Sequence, residues 1–149
     1  MKMLDATDVV CLLREAVQCD GDAEAFVDAS GRRLSYAEWD RRADGCAAGL
    51  ASHGVGIGDV VCLLLPSSID YMICYQAVIR LGAIASGVNL RLGRAEVGEL
   101  LDIARPRATI VDGSRDDVAV PAAGLVVPLD ELLRWCDEPA PPLPRPDAA

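Results

Sequence analysis

Asp59-Val60-Val61-Cys62-Leu63-Leu64-Leu65-Pro66-Ser67-Ser68 is the stretch that decides the fold. Apolar residues run unbroken from Val60 to Leu65, and Pro66 ends them. A strand with one wet face alternates apolar and polar side chains. A strand covered on both faces stays apolar throughout, as strands of parallel sheets do. The run therefore reads as a parallel strand in the middle of a layered α/β unit. Ser67 or Ser68 then caps a helix running to about Gly82. Ile69, Met72, Ile73, Tyr75, Ala77, Val78 and Ile79 make that helix apolar around most of its circumference, so it is expected to be covered on more than one side.

Downstream, the pattern of strand followed by helix repeats. A short strand is predicted over Ala83 to Val88. A helix follows from Arg94 to Ala104, with Val97, Leu100, Leu101 and Ala104 as its inner face and Arg105-Pro106 as its end. Ala108 to Val111 and Gly124 to Val127 read as further strands, and Leu129 to Cys136 as a last short helix. Upstream, residues 7–18 read as an amphipathic helix capped by Thr7 or Asp5. A β-hairpin follows, with Ala25-Phe26-Val27 and Arg33-Leu34-Ser35 flanking the turn Asp28-Ala29-Ser30-Gly31. Ser35-Tyr36-Ala37-Glu38 is a capping box, and Leu34 and Trp39 stand at the staple positions beside it. The helix it opens carries an apolar stripe of Trp39, Ala43, Cys46, Ala47 and Leu50, and is expected to stop near His53-Gly54. The fold class that follows is α/β, a mostly parallel sheet with helices on both faces plus an N-terminal β-hairpin. Residues 1–137 form the α/β subdomain. Residues 138–149, with five of the nine prolines, read as a linker or tail.

Composition narrows the function classes. The net charge of −9 argues against nucleic acid, because neutralising phosphates needs a basic face. No apolar stretch approaches the roughly 18 residues a transmembrane helix needs, and no secretory signal precedes the first helix. The apolar fraction of 52%, with Gly left out, is high for a short chain and points to apolar surface meant for a partner or for more polypeptide. The six cysteines (Cys11, Cys19, Cys46, Cys62, Cys74, Cys136) form no C-x-x-C pair, and His53 stands apart from them. The expectation is a reduced, cytoplasmic protein with no zinc site.

Several candidate sites weaken on inspection. Gly54-Val55-Gly56-Ile57-Gly58 resembles a dinucleotide loop, but Asp59 occupies the third glycine position. The loop also follows a helix and precedes a strand, the reverse of the order that aims helix N-terminal amides at a phosphate. Lys2 is the only lysine, so no P-loop exists, and Asp112 at a strand end lacks the lysine of a phosphoryl-accepting receiver. His53 is expected to interact with a helix C-terminus rather than serve as a base. Asp116-Asp117 and the pair Asp130-Glu131 read as solvated faces or caps, and Tyr71 and Tyr75 as core packing.

From Ala25 to Val111 the chain resembles the N-terminal region of the adenylate-forming acyl-CoA synthetase superfamily. Phe26-Val27-Asp28 through Leu34-Ser35-Tyr36-Ala37-Glu38 is similar to the family's opening motif. Gly54 through Asp59-Val60-Val61 is similar to its G-h-x-x-G-D-x-V turn into a strand, and Leu65-Pro66-Ser67-Ser68 to its h-P-N-S. Leu81-Gly82-Ala83-Ile84 to Asn89, with Arg91 and Glu96, is similar to its x-x-G-A-h-x-x-P-h-N-x-R-x-x-x-x-E-h. Ser67 replaces the usual Asn, Gly87 stands where Pro is common, and Trp39 replaces an aliphatic residue.

The resemblance implies a fatty-acyl or aryl CoA ligase. Such a parent uses ATP and Mg²⁺ to make an acyl-adenylate and then transfers the acyl group to CoA. It also implies that the ATP loop, which ends in lysine, and the catalytic lysine lie downstream of this region. No catalytic, cofactor-binding or metal-binding residue is therefore assigned to this chain, which is expected to be inactive alone. The partners implied are the remainder of the ligase, or self-association through exposed apolar surface. The alternative is a stand-alone α/β interaction module derived from such an enzyme.

Overall fold

The computed structural model describes residues 9–113 and 124–140. Helix α1 (Val9–Asp20) leads into an antiparallel hairpin of β1 (Glu24–Val27) and β2 (Arg33–Ser35), then α2 (Tyr36–Ser52). β3 (Val60–Leu64), α3 (Ile69–Arg80), β4 (Ile84–Gly87), α4 (Arg94–Ala104), β5 (Ala108–Val111), β6 (Leu125–Pro128) and α5 (Leu129–Asp137) complete the order. The caps expected at Thr7 or Asp5 lie outside the described residues.

β4, β3, β5 and β6 form, in that order, a four-stranded sheet whose pairings are all parallel. The unbroken apolar run has become a central strand. Val61 and Leu63 point into the cluster shared with α2, α3 and α5, while Cys62 and Leu64 point into the one under α4. Helices thus lie on both faces, as the sequence predicts.

Local signals set the boundaries. The Ser35 half of the capping box forms, its hydroxyl accepting from the Glu38 amide at 3.2 Å. Beside it Leu34 is buried and Trp39 packs edge-on against Phe26 with centroids 4.8 Å apart. Ser68, not Ser67, caps α3, accepting from the Tyr71 amide at 3.2 Å. α2 ends at Ser52, and past its cap His53 the chain turns at Gly54, whose φ of 84° is the left-handed region that glycine tolerates without steric cost. α4 ends at Arg105, which adopts φ 45° ahead of Pro106. One inner-face assignment fails. Val97 and Leu101 are buried, but Leu100 is 42% exposed, because the stripe that meets the sheet is narrower than the apolar face of the helix.

α5 sits directly on α2. A Cβ on Gly45 would stand 3.1 Å from the Cα of Cys136, and one on Gly49 would stand 2.7 Å from Cγ of Trp135. Only glycine lets the two backbones come this close.

Candidate functional site

Open α/β sheets bind ligands at the carboxyl ends of their strands. Here that rim is formed by Pro66-Ser67-Ser68 after β3, Asn89 after β4 and Asp112 after β5. Two of its polar side chains make local bonds. The Ser68 hydroxyl caps α3, and the Asn89 side chain accepts from the Arg91 amide at 3.0 Å. Arg32, from the hairpin, reaches the first turn of α3 and donates to Asp70 at 2.9 Å and to Asp28 at 2.8 Å. The Asp28 carboxyl is lowered from 3.8 to about 2, first by the hydrogen bond from the Ser30 hydroxyl and then by those from Arg32. The Arg32 guanidinium is raised by Asp70 first and Asp28 second. These charges fasten the hairpin to α3.

The glycine loop lies at the other end of the sheet. Gly58 N–H donates to Gly82 O at 2.9 Å, tying the loop to the turn before β4, and Gly56 N–H donates to the Asp59 carboxylate at 2.9 Å within the loop, so both amides are already engaged. His53 sits at the end of α2, its Nδ1 2.9 Å from the Gly49 carbonyl oxygen. Its ring stacks on Trp135 at 4.8 Å. This is the helix-terminus placement expected for it. Tyr71 and Tyr75 pack against the core. The Tyr71 hydroxyl would stand 2.5 Å from a Cβ on Gly87, which explains glycine at that position. Asp130 and Glu131 occupy the first turn of α5, where carboxylates favour the helix dipole. Asp116-Asp117 lie outside the described residues.

Besides the Arg32–Asp70 contact, sequence reasoning missed two arrangements. Arg80 is buried and donates to the carboxylates of Asp40 and Asp44, 40 and 36 positions away, so no local pattern announces the pairing. Cys46, Cys74 and Cys136, one each from α2, α3 and α5, are all buried within one cluster. Burial pushes the Cys46 thiol well up, helped by hydrogen bonds with Cys136 and Cys74. A thiol held protonated is a poor nucleophile and a poor metal ligand. Among the described residues no group of three or more His, Cys, Asp or Glu is placed to hold a metal ion.

A cleft of about 670 Å³ opens at the amino ends of β3, β5 and β6, lined by Asp59, Val60, Leu101, Asp102, Arg105 and Arg107. Its charges balance. Arg107 Nε donates to Gly54 O at 3.2 Å, and the Asp59 carboxylate accepts from Gly56.

Comparison with known proteins gives a consistent picture. The profile of the AMP-binding enzymes matches residues 13–144. Protein Y of Streptomyces griseus is 32% identical over 123 residues, covering 83% of this chain and 40% of the relative. The long-chain-fatty-acid–CoA ligase FadD13 of Mycobacterium tuberculosis is 30% identical over 113 residues, covering 70% of this chain and 22% of the relative. In structure, the N-terminal domain of FACL13 from Mycobacterium tuberculosis superposes with a TM-score of 0.81 at 25% identity. That match covers 88% of this chain and 36% of that domain. The chain spans 40% or less of the length of these relatives. No helix among the described residues is long and apolar enough to cross a membrane.

Proposed function

The chain belongs to the family of AMP-binding enzymes, and on that premise we propose that it is the N-terminal scaffold of an ATP-dependent fatty-acyl or aryl CoA ligase. The parent reaction has two steps. A carboxylate displaces pyrophosphate from ATP to give an acyl-adenylate. The thiol of CoA then displaces AMP to give the thioester. Mg²⁺ neutralises the phosphates in the first step.

The observation that carries the reading is a mismatch between the family and the charges of this chain. The sole lysine, Lys2, lies outside the matched residues 13–144. The one glycine-rich loop spends the amide of Gly56 on its own turn and that of Gly58 on the Gly82 carbonyl before β4, and it points no helix N-terminus at a ligand. These residues do not fit a nucleoside triphosphate. The chain therefore supplies a packed sheet and helices against which the rest of the enzyme assembles, and holds no catalytic, cofactor-binding or metal-binding residue. Residues 1–137 act as the subdomain and 138–149 as a linker. The protein works in the cytoplasm, in fatty-acid metabolism, with the remainder of the ligase as its partner. Without that partner, its exposed apolar surface drives self-association.

The test is to incubate the full chain with ATP, Mg²⁺, CoA and a panel of fatty and aryl acids while following pyrophosphate. No release is expected, and steady turnover overturns the assignment.

A further inference from the structure

Three cysteines meet where α2, α3 and α5 converge. Cys46, Cys74 and Cys136 are fully buried, and all belong to the cluster that these helices close over the sheet. The Cys46 thiol hydrogen-bonds with those of Cys136 and Cys74, so one sulfur lies within reach of two others. On the Cys136 side the backbones themselves touch. A Cβ on Gly45, the residue before Cys46, would stand 3.1 Å from both the Cα and the carbonyl oxygen of Cys136. A disulfide needs its two Cα atoms about 4.4–6.8 Å apart, a separation that helices packed backbone to backbone supply.

We propose that these thiols form a redox latch on α5: hydrogen peroxide oxidises Cys46 and Cys136 to a disulfide that pins α5 to α2, and thiol reductants release it. While α5 is docked the cluster is inert, because burial holds the Cys46 thiol protonated and a protonated thiol is a poor nucleophile. Oxidation therefore begins when α5 lifts. This helix is the last element of the described chain, and Cys136 lies one residue from its end. Elements at the end of a chain open at a fraction of the cost of global unfolding. Beside Cys136, Asp137 meets Arg42 at 3.6 Å, and an ion pair with one exposed partner adds little to hold the helix down.

The chemistry takes two displacements. The freed Cys46 thiolate attacks one oxygen of the peroxide and the O–O bond breaks, leaving a sulfenic acid and hydroxide. As α5 closes, the Cys136 thiolate attacks the Cys46 sulfur. The S–S bond forms, the S–O bond breaks and a second hydroxide leaves. The protons shed by the two thiols turn both hydroxides into water, so two thiols lose two electrons and one peroxide becomes two waters. Cys74 stays a thiol. In a reducing compartment the resting form is three thiols, and a disulfide that comes and goes is the kind such compartments use for sensing. The latch needs only α2 and α5, so it stands apart from the ligase reading.

The full chain is reduced, treated with a small excess of hydrogen peroxide and quenched. Its remaining thiols are alkylated in denaturant, and the protein is digested without reductant for mass spectrometry. Monomer and dimer are separated first, because Cys19 is exposed and can cross-link two chains. The monomer is expected to yield a Cys46–Cys136 peptide pair and to melt about 5 °C or more above the reduced protein, a shift that dithiothreitol reverses. Cys136→Ala should lose both the link and the shift, whereas Cys74→Ala should keep both. The mapping on the parent chain decides the case even where a variant fails to fold. A monomer in which Cys46, Cys74 and Cys136 are all recovered as alkylated thiols overturns the inference and leaves them as small packing groups. A Cys46–Cys74 pair, a sulfinic acid at Cys46, a Cys46–Cys136 link confined to the dimer, or a link that leaves the melting temperature unchanged overturns it equally.

Discussion

The two faces of the parallel sheet are covered to different degrees. On one face α2, α3 and α5 close over Val61, Leu63, Ile110 and Val127, and their residues are buried to within a few per cent. On the other, among the described residues, α4 is the one helix that packs on Cys62 and Leu64, helped by Val88, Leu90 and Leu92 of the loop before it. Four strands spaced about 4.8 Å apart span roughly 15 Å between the outer two, more than one helix about 10 Å across can shield. Small residues mark the difference. Gly45 and Gly49 of α2 meet α5 at contact distance, whereas a Cβ on Gly98 of α4 would meet nothing within 4 Å. Where this chain supplies both partners of a contact, the surfaces are fitted to each other. Where it supplies one, apolar side chains remain in view.

The largest effect is expected from breaking the ion network inside the closed face. The Arg80 guanidinium, 3% exposed, donates to the carboxylates of Asp44 and Asp40 and to the Asp40 carbonyl at 3.0 Å, tying the end of α3 to the middle of α2. Replacing Arg80 with Leu leaves Asp44 buried beside only the longer contact to Arg14 at 3.7 Å. A buried carboxylate stripped of its partner costs about 3–5 kcal/mol. Urea denaturation of the Arg80→Leu protein should show a loss of that size. A loss below about 1 kcal/mol would mean that the network is no stronger than an exposed ion pair.

Gly45→Ala and Gly98→Ala form a matched pair that reads the two faces directly. In both, alanine gains up to about 1 kcal/mol in helix propensity. At Gly45 the new methyl meets the backbone of Trp135 and Cys136, which a rotamer change cannot relieve, and overpacking of this kind costs about 1–3 kcal/mol. Gly45→Ala should therefore lower stability by about 1–2 kcal/mol net, with a change in Trp135 fluorescence as α5 shifts. Gly98→Ala should raise stability by about 0.5–1 kcal/mol. If both variants move the same way, the contrast between a closed and an open face is wrong at these helices.

The parts of the structure that were legible in the sequence are those governed by neighbours along the chain. The run Val60–Leu65 gave the central strand, and Ser35, Ser68, Gly54 and Arg105-Pro106 set helix ends through bonds within four or five residues. The glycine loop between Gly54 and Gly58 was separable from a phosphate cradle because helix-then-strand order alone decides where amides point. What stayed hidden depends on distant pairs: Arg80 with Asp40 and Asp44, Arg32 with Asp70, and the meeting of Cys46, Cys74 and Cys136. Leu100 shows the same boundary from the other direction. Its spacing marks it as apolar-facing, but only the width of the sheet beneath α4 decides how much of that face is covered.

The smallest effect concerns the hairpin, which charge holds to the closed face. Asp28 accepts hydrogen bonds from the Ser30 hydroxyl at 2.6 Å and from Arg32, which also grips Asp70 on α3. Its carboxyl is lowered from 3.8 to about 2, so the folded state favours the ionised form. A depressed acid contributes stability that is fully present above the unfolded value and lost as pH falls through the folded one. Asp28→Asn keeps an oxygen for the Ser30 and Arg32 amides and removes the charge. The gap in denaturation midpoint between parent and Asp28→Asn should be constant from neutral pH down to about 4 and shrink between there and about 2. A gap that stays the same at the acid end would show that the turn is held by the shape of its hydrogen bonds and that the Asp28–Arg32–Asp70 charges contribute nothing. The hairpin would then be docked through Phe26 and Leu34 against Trp39 and the core, by the same apolar fitting that closes the rest of that face.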